Sequence, residues 1–319
     1  QPGIYYSCSL AVDGATLISL HIYAFVLVFK DGLRLAGFEH VESQTGKELA
    51  DAITKIMTKC EQHNIEISCI VSDNAASLKS AINNIDESKG YSLKAAIGEE
   101  VLRCACAAHT SQLAVKDLIE GVDYLEEFYS NVVNLISFIS MRSDDFKKFC
   151  PYKMPHFIDT RWNTLYNCSS FIFKNKSSID EWLKEYITFE QKRFDTEQEL
   201  FNSKRKKYPP KLIEFPPINE VPEEWATYIE PLEVIAGFTN CIEGDLCLQQ
   251  DVYISVLDAE SKLESLAQNK NYVAETLYDK FHHRFTSTAD LTLAHLAFLF
   301  TPTGLDDFRS LPNDREKVR

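Results

Sequence analysis

The order of the elements predicted over the first 106 residues constrains the fold more than any other feature. Three stretches rich in β-branched and aromatic residues come first, and Lys30-Asp31-Gly32, a strong hairpin turn signal, joins the second to the third. A helix, a strand, a second helix and a short strand follow them. Three antiparallel strands followed by helix-linked strands predict a mixed α/β sheet with helices on its faces.

Single motifs mark where these elements begin and end. The first predicted strand, Gly3 to Asp13, ends at Asp13-Gly14, and the fourth, "IEISCIVSD", ends at Asp73. Between them, Thr45 and Glu48 have the spacing of a helix capping box. The helix that follows has four apolar residues on one face: Leu49, Ile53, Ile56 and Met57. The element order is that of an RNase H-like fold, although several other mixed α/β folds share it.

The second half of the chain is different in character. The pattern predicts continuous helix from His109 to Phe149, and beyond Cys150 helical patterns recur while strand signals almost vanish. We therefore predict two domains, an RNase H-like domain over 1–149 and an all-α domain over 150–319. A Pro-rich, charge-mixed segment at 202–224 predicts an exposed loop in the second domain.

Composition narrows the classes of protein. The hydrophobic content of 45% in 319 residues is that of a globular chain with a substantial core. A net charge of -14 argues against a broad basic surface for nucleic acid, although a local patch or a bound metal could offset it. Nine cysteines, an odd and sparse set, predict reduced thiols and an intracellular protein. No signal peptide and no run of membrane length is visible, so we expect no membrane partner.

The two strand-ending acids are the first candidate site. In an RNase H-like sheet the first and fourth strands are neighbours, so Asp13 and Asp73 could meet and bind Mg²⁺ through carboxylate oxygens. Two such ions would organise in-line attack on a phosphodiester. The alternatives are that Asp73 is the N-cap of the helix after it and that Asp13-Gly14 is a turn. The pattern by itself favours these alternatives.

Other motifs are weaker. Cys106 and His109 form a Cys-x-x-His pair, but structural zinc needs four ligands, so a packed Cys and a His near a helix start are favoured. Arg161 beside Trp162 could hold a phosphate and stack a base, whereas Trp on a helix is more often core. Glu243, in "CIEGDLC", lies close to another acid but has the pattern of a surface residue.

Four blocks, taken in order, carry a resemblance to a known family. They read "VDGAT", "VSDNAASLKSAI", "CAAHTSQLAVKDL" and "DTRWNTLYN". Together they resemble the hAT superfamily of DNA transposases, RNase H-like enzymes with an α-helical insertion domain. The match runs from about residue 4 to about residue 168 and is weaker to about residue 300.

The resemblance implies roles for particular residues. Asp13 and Asp73 match the first two acids of the family's Asp-Asp-Glu triad, which binds Mg²⁺ or Mn²⁺. Cys106 and His109 match its Cys-x-x-His element, a structural feature. Trp162 matches an aromatic that stabilises an unstacked base, and Arg161 adjoins it. The implied reaction is metal-dependent cleavage and strand transfer at transposon ends, so the implied partner is DNA and the implied location is the nucleus.

The departures from the family pattern matter as much. The family's third acid lies in a block that reads roughly Ser-x-x-Glu-Arg-x-Phe-Ser, in a region that also forms homo-oligomers, and no such block occurs in this sequence. Glu243 is the nearest substitute and lies outside that motif. No N-terminal BED zinc finger is present, and the sequence begins at Gln1 without Met, so we expect a piece of a longer protein.

Two functions follow from these observations. The first is a transposase-derived core whose metal-dependent chemistry is incomplete in this chain. The second is a non-catalytic domesticated transposase that serves as a DNA- or protein-binding regulatory module.

Overall fold

A computed structural model gives the fold. It describes residues 6–18, 20–73, 78, 81, 101–158, 162–203, 205, 208–211, 225–244, 247, 249–287, 291–299, 301 and 303. Arg161, most of the helix predicted after Asp73 and most of the predicted 202–224 loop lie outside these residues. Within them, no helix is both long enough and apolar enough to cross a membrane.

Five strands form one mixed sheet. In chain order they are β1 Tyr6–Leu17, β2 Leu20–Phe29, β3 Gly32–Val41, β4 Ile65–Ser72 and β5 Leu102–Ala105. Their spatial order is β3-β2-β1-β4-β5, with β1–β2 and β2–β3 antiparallel and β1–β4 and β4–β5 parallel. This order, with an all-helical region after it, confirms the predicted fold class: an RNase H-like mixed sheet flanked by helices.

The β2–β3 hairpin turns where the sequence predicted. Gly32 has φ +137°, a backbone angle that favours glycine, and Asp31 accepts two bonds from the Arg34 guanidinium at 3.1 and 2.9 Å. The ladder then contains a bulge, because Val26 pairs with Leu35 while Phe25 pairs with Gly37. Ala36 is the extra residue, and it keeps Leu35 and Phe38 on the same face of the sheet although they are three positions apart.

Helix α1 (Gly46–Gln62) covers the other face of the sheet. Its four predicted apolar residues are buried, together with Leu10, Phe25 and Ile70 of the strands. Thr45 caps the helix, with its Oγ1 accepting the Glu48 N–H at 3.4 Å. Glu48 does not return to Thr45 as a full capping box would. Its carboxylate accepts the Ser43 N–H at 2.8 Å and the Ser43 hydroxyl at 2.7 Å.

Strand β1 does not end at Asp13. It continues through Gly14 to Leu17, and each of these residues pairs with β2 as far as Leu17↔Leu20. The expectation that Asp13 ends the strand, and the alternative that Asp13-Gly14 is a turn, are therefore both wrong. The long antiparallel pairing with β2 outweighs the local Asp-Gly turn preference.

The helix predicted as continuous from His109 to Phe149 is interrupted twice. It consists of α2 Ala107–Glu120, α3 Asp123–Ser140 and α4 Ser143–Phe146. At the first break, a Cβ on Gly121 would lie 2.8 Å from the Asp117 carbonyl oxygen, so glycine suits the end of α2. In the later part of the chain, as far as the structure describes it, the helices are α5 Trp162–Lys174, α6 Lys176–Asn202, α7 Trp225–Ile242, α8 Gln249–Gln268, α9 Tyr272–Ser287 and α10 Thr292–Leu299.

Helix α7 contains a proline, and a neighbouring side chain compensates for it. Pro231 has no N–H, so it cannot donate to the Thr227 carbonyl four residues earlier. The Asn271 amide donates to that carbonyl at 3.0 Å instead. The Asn271 Oδ1 also accepts the Ala274 N–H at 3.0 Å at the start of α9. One buried side chain therefore satisfies groups of two helices.

The chain forms two compact units. The first comprises Gln1–Ala114, Gly237–Ser261 and Asp279–Arg319, and the second comprises Val115–Ala236 and Lys262–Tyr278. The division into 1–149 and 150–319 stays a prediction about sequence character, because each compact unit takes segments from both halves. In the first unit, Phe238, Phe281 and Phe285 form a cluster of buried rings.

Candidate metal site

The register of two parallel strands places Asp13 and Asp73 at the same level. The last pair between β1 and β4 is Val12↔Ser72, and each aspartate is the residue immediately after it. Asp13 is exposed and Asp73 is half-buried. The Asp13 Oδ1 accepts the Gly14 N–H at 3.0 Å, which leaves its other carboxylate oxygen for a ligand. The predicted meeting of the two acids rests on this register.

Tyr23 lies against this pair, and the sequence did not indicate it. Its pKa is raised, first by burial and then by the negative charges of Asp73 and Asp13. Tyr23 pairs with Gly14 across the β1–β2 ladder, and a Cβ on Gly14 would lie 2.6 Å from its Cε1 atom. The glycine of "VDGAT" is thus required by a ring on the next strand rather than by a turn.

Cys106 also lies against the pair, at the end of the next strand. Its N–H donates to the Ser72 carbonyl at 2.7 Å, which places it beside the end of β4. Burial raises the pKa of its thiol, bonds from the Ala108 and His109 N–H groups lower it, and Asp13 and Asp73 raise it. Both aspartates therefore act on two separate groups, Tyr23 and Cys106, which supports a shared site.

The Cys-x-x-His spacing has a structural explanation. Cys106 precedes the first residue of α2, and its carbonyl accepts the Thr110 N–H at 2.9 Å. Its sulfur is bonded by the N–H groups at the second and third helical positions, which is the geometry of a helix cap. His109 supplies only its backbone N–H there, which any residue except proline could supply. The structural role predicted for the His109 side chain stays a prediction.

Arg103 supplies a positive charge next to the pair. Its guanidinium donates to the Asp73 carbonyl oxygen at 3.3 Å. Burial lowers the pKa of Arg103, and the charge of Asp73 acts against that shift. Arg103 comes from β5, the neighbour of β4, so it lies beside Asp73 through the sheet order. Nothing in the sequence pattern singled it out.

The residues at this site fit one hard cation. Two carboxylates offer oxygen ligands to Mg²⁺ or Mn²⁺, ions that keep several waters or phosphate oxygens in their shell. Among the described residues, no group of three or more His, Cys, Asp or Glu side chains could hold a metal ion. Glu243 lies in an exposed turn after α7, with its N–H bonded to the Thr239 carbonyl at 2.9 Å. Glu243 is thus not grouped with the aspartate pair here, and its role as a third acid stays a prediction.

Trp162 lies apart from these residues in sequence and belongs to the second compact unit. It is the first residue of α5, and its side chain is 9% exposed. This burial agrees with the core role that the helical pattern favours. Base stacking would need a more exposed ring, so that role stays a prediction, as does the phosphate contact predicted for Arg161.

Comparison with protein-family models gives no match for this chain, and comparison with curated proteins gives none either. The class that the structure defines is that of its fold, an RNase H-like mixed sheet followed by an all-helical region. The hAT resemblance rests on the four sequence blocks.

Proposed function

We propose that this protein is transposase-derived, of the hAT type, and that Asp13 and Asp73 hold one divalent cation, Mg²⁺ or Mn²⁺. The observation that carries the proposal is the Val12↔Ser72 register, because the two aspartates follow this last pair at the same level of adjacent strands. Bringing two like charges together costs free energy unless a cation offsets them. Arg103 beside Asp73 offsets part of that charge, and a bound cation would offset more.

A cation held there would bind a phosphate oxygen and stabilise the charge that develops on a phosphodiester during attack. The protein's own part is to hold the two carboxylates in place. The residues before and after Asp13 all pair with β2, which fixes the backbone of Asp13. The Arg103 guanidinium donates a hydrogen bond to the Asp73 carbonyl oxygen, which fixes the backbone there. Cys106 stays a neutral thiol beside them, because burial and both carboxylates raise its pKa. The proposal implies a nuclear protein that contacts DNA.

A second function has its own support. Two-metal cleavage needs more ligands than two carboxylates provide, and the described residues contain no third member of the group. This favours a protein that binds DNA or another protein without cleaving DNA. Between these two partners the net charge of -14 favours another protein, since it limits non-specific attraction to nucleic acid.

Calorimetric titration with Mg²⁺ and Mn²⁺ tests the proposal. We expect a dissociation constant between micromolar and low millimolar for the chain as it is, and loss of binding in Asp13→Asn and in Asp73→Asn. Asp51→Asn is the matched control, because Asp51 is an exposed aspartate of α1 outside the pair. Equal binding by the Asp13→Asn/Asp73→Asn variant, or no binding by the native chain, would refute the site.

A cleavage assay on labelled DNA with Mn²⁺ separates the two functions. Cleavage that needs both aspartates would support a surviving nuclease, and Glu243→Gln then tests the third acid. Metal binding without cleavage would support the non-catalytic function.

A further inference from the structure

A pocket in the second compact unit is lined by two lysines and by flat rings. It lies between the segment at 152–155 and the last turns of α5, and its volume is about 670 Å³. That volume falls within the range of small-molecule sites in proteins. The residues that matter for recognition are Tyr152, Lys153, Pro155, Asn167, Phe171 and Lys174.

Two lysines give the pocket positive charge. Lys153 and Lys174 are exposed, and within the described part of the chain neither has a carboxylate partner within 4.0 Å. The contrast with the preceding lysines is clear. Lys147 and Lys148 are neutralised by Asp144 and Asp145 at 2.9 and 2.7 Å. In a chain of net charge -14, two uncompensated ammonium groups in one pocket favour an anion.

Glu233 is an acidic group next to the lining, and it is already engaged. It accepts a hydrogen bond from the Tyr166 hydroxyl and, after burial, is the main cause of the raised pKa of Tyr166. Ser170, which is buried, bonds to the same hydroxyl. Glu233 is exposed and keeps its negative charge, so the two lysines together exceed the one carboxylate beside the pocket by a single positive charge.

The pocket also offers flat apolar surfaces. The Tyr152 ring is 68% exposed, and Phe171 and Pro155 line the same space. An exposed ring beside a lysine can stack a base while the ammonium holds the neighbouring phosphate. The Asn167 side chain is exposed and can both donate to and accept from a base edge.

We propose that this pocket binds a nucleotide unit, with a base on Tyr152 and a phosphate between Lys153 and Lys174. The unit could belong to a free nucleotide or to a single strand of nucleic acid, and both share this chemistry. The inference uses neither Asp13 nor Asp73, so it stands or falls separately from the metal site.

Fluorescence anisotropy with a labelled 12-nucleotide single strand tests the proposal, in EDTA so that no metal contributes. We expect binding that Tyr152→Ala weakens about tenfold, because stacking on one aromatic carries about that much affinity. Lys153→Gln/Lys174→Gln should weaken binding and lower the slope of log K against log salt by about 0.7, the value for one phosphate contact on a single strand.

Matched controls lie elsewhere in the same unit. Phe189 is an aromatic 62% exposed on α6, and Lys184 is an exposed lysine on the same helix. Phe189→Ala and Lys184→Gln should leave the affinity unchanged. Circular dichroism of each variant checks that it is folded.

Competition distinguishes the two sources of the nucleotide. If AMP displaces the strand at a concentration near its own dissociation constant and binds as tightly, the ligand is a free nucleotide. If the strand binds at least tenfold tighter than AMP, it is a nucleic-acid segment. The proposal is overturned if neither binds below 1 mM (a limit on the order of weak non-specific binding), if only inorganic phosphate binds, or if the pocket variants bind like native protein.

Discussion

At the scale of single residues, Gly14 belongs to an Asp-Gly pair that looks like a local turn signal, but the reason for the glycine lies on the neighbouring strand. The Asp-Gly pair predicts a turn, but the strand continues, and the glycine is there because the Tyr23 ring lies over it. Tyr23 is 5% exposed and so has little freedom to move aside. The sheet beside Asp13 therefore has room at position 14 only for a residue without a side chain.

Gly14→Ala should lower the free energy of unfolding by about 1 to 3 kcal/mol, the usual cost of overpacking a filled site. Urea denaturation measures the change. Gly237→Ala is the control, because a Cβ there meets nothing within 4 Å on an exposed helical position, and it should stabilise by about 0.5 to 1 kcal/mol. A Gly14→Ala cost that persists unchanged in a Tyr23→Leu background would contradict the explanation.

Cys106 reports on the aspartate pair. Because Asp13 and Asp73 raise the pKa of its thiol, replacing both with Asn should lower that pKa and increase the thiolate fraction at pH 8. Because the thiolate is the reactive form, the lower pKa should make alkylation of Cys106 faster at pH 8. Mass spectrometry after iodoacetamide treatment gives the rate for Cys106 alone. Cys241, which is exposed, is the internal reference, and an unchanged Cys106 rate would show that the carboxylates are remote.

At the scale of elements, helix α7 and helix α9 depend on each other through Asn271. Pro231 frees the Thr227 carbonyl, and the Asn271 amide bonds to it while capping α9. Asn271 is 7% exposed, so an unsatisfied carbonyl beside it would be costly.

Asn271→Ser keeps a helix cap but is too short to reach Thr227, and we expect it to cost about 1 to 3 kcal/mol of unfolding free energy. The same substitution should cost at least about 1 kcal/mol less in a Pro231→Ala background, because the alanine that replaces the proline can donate its own N–H to the Thr227 carbonyl. Denaturant titrations of the native protein, the two single variants and the double variant give the four free energies of this double-mutant cycle. Equal costs in both backgrounds would mean that Asn271 does not compensate for the proline.

The elements that sequence could predict are those fixed by neighbours in the chain. The Asp31-Gly32 turn and the Thr45 cap follow from local chemistry, and the apolar face of α1 follows from its periodicity. The residues that sequence missed depend on partners far away in the chain. Tyr23, Arg103 and the Asn271–Thr227 bond join positions that only the sheet order or helix packing brings together. Asp13 and Asp73 were predicted as a pair because each follows an apolar run and the two runs are neighbours in an RNase H-like sheet, and the Val12↔Ser72 register is compatible with that prediction.

At the scale of the whole molecule, buried thiols make stability depend on alkaline pH. Burial raises the pKa of Cys8 and of Cys168 from 9.0 to about 11, with Cys60 adding to the shift at Cys8. The unfolded chain therefore releases these protons at lower pH than the folded chain does. Their contribution is present below pH 9 and is lost as the pH rises toward 11.

We expect the free energy of unfolding to fall between pH 9 and pH 11, by up to about 2 to 3 kcal/mol for each of these two thiols. Urea denaturation at several pH values under reducing conditions measures the change. In Cys168→Ala the free energy of unfolding should fall less between pH 9 and pH 11, because one of the two thiols has been removed. A constant or rising stability over that range would contradict the burial of these groups.

The bulge in β3 has a consequence for how the length of this chain can vary. Val26↔Leu35 and Phe25↔Gly37 flank the single unpaired residue Ala36. Removing Ala36 would join these pairs into a regular ladder with every neighbouring side chain on its original face, whereas removing Arg34 would shift Leu35 to the opposite face of the sheet. Natural shortening of this hairpin by one residue is therefore expected at position 36, the one point where the strand can lose a residue without exchanging its inner and outer faces.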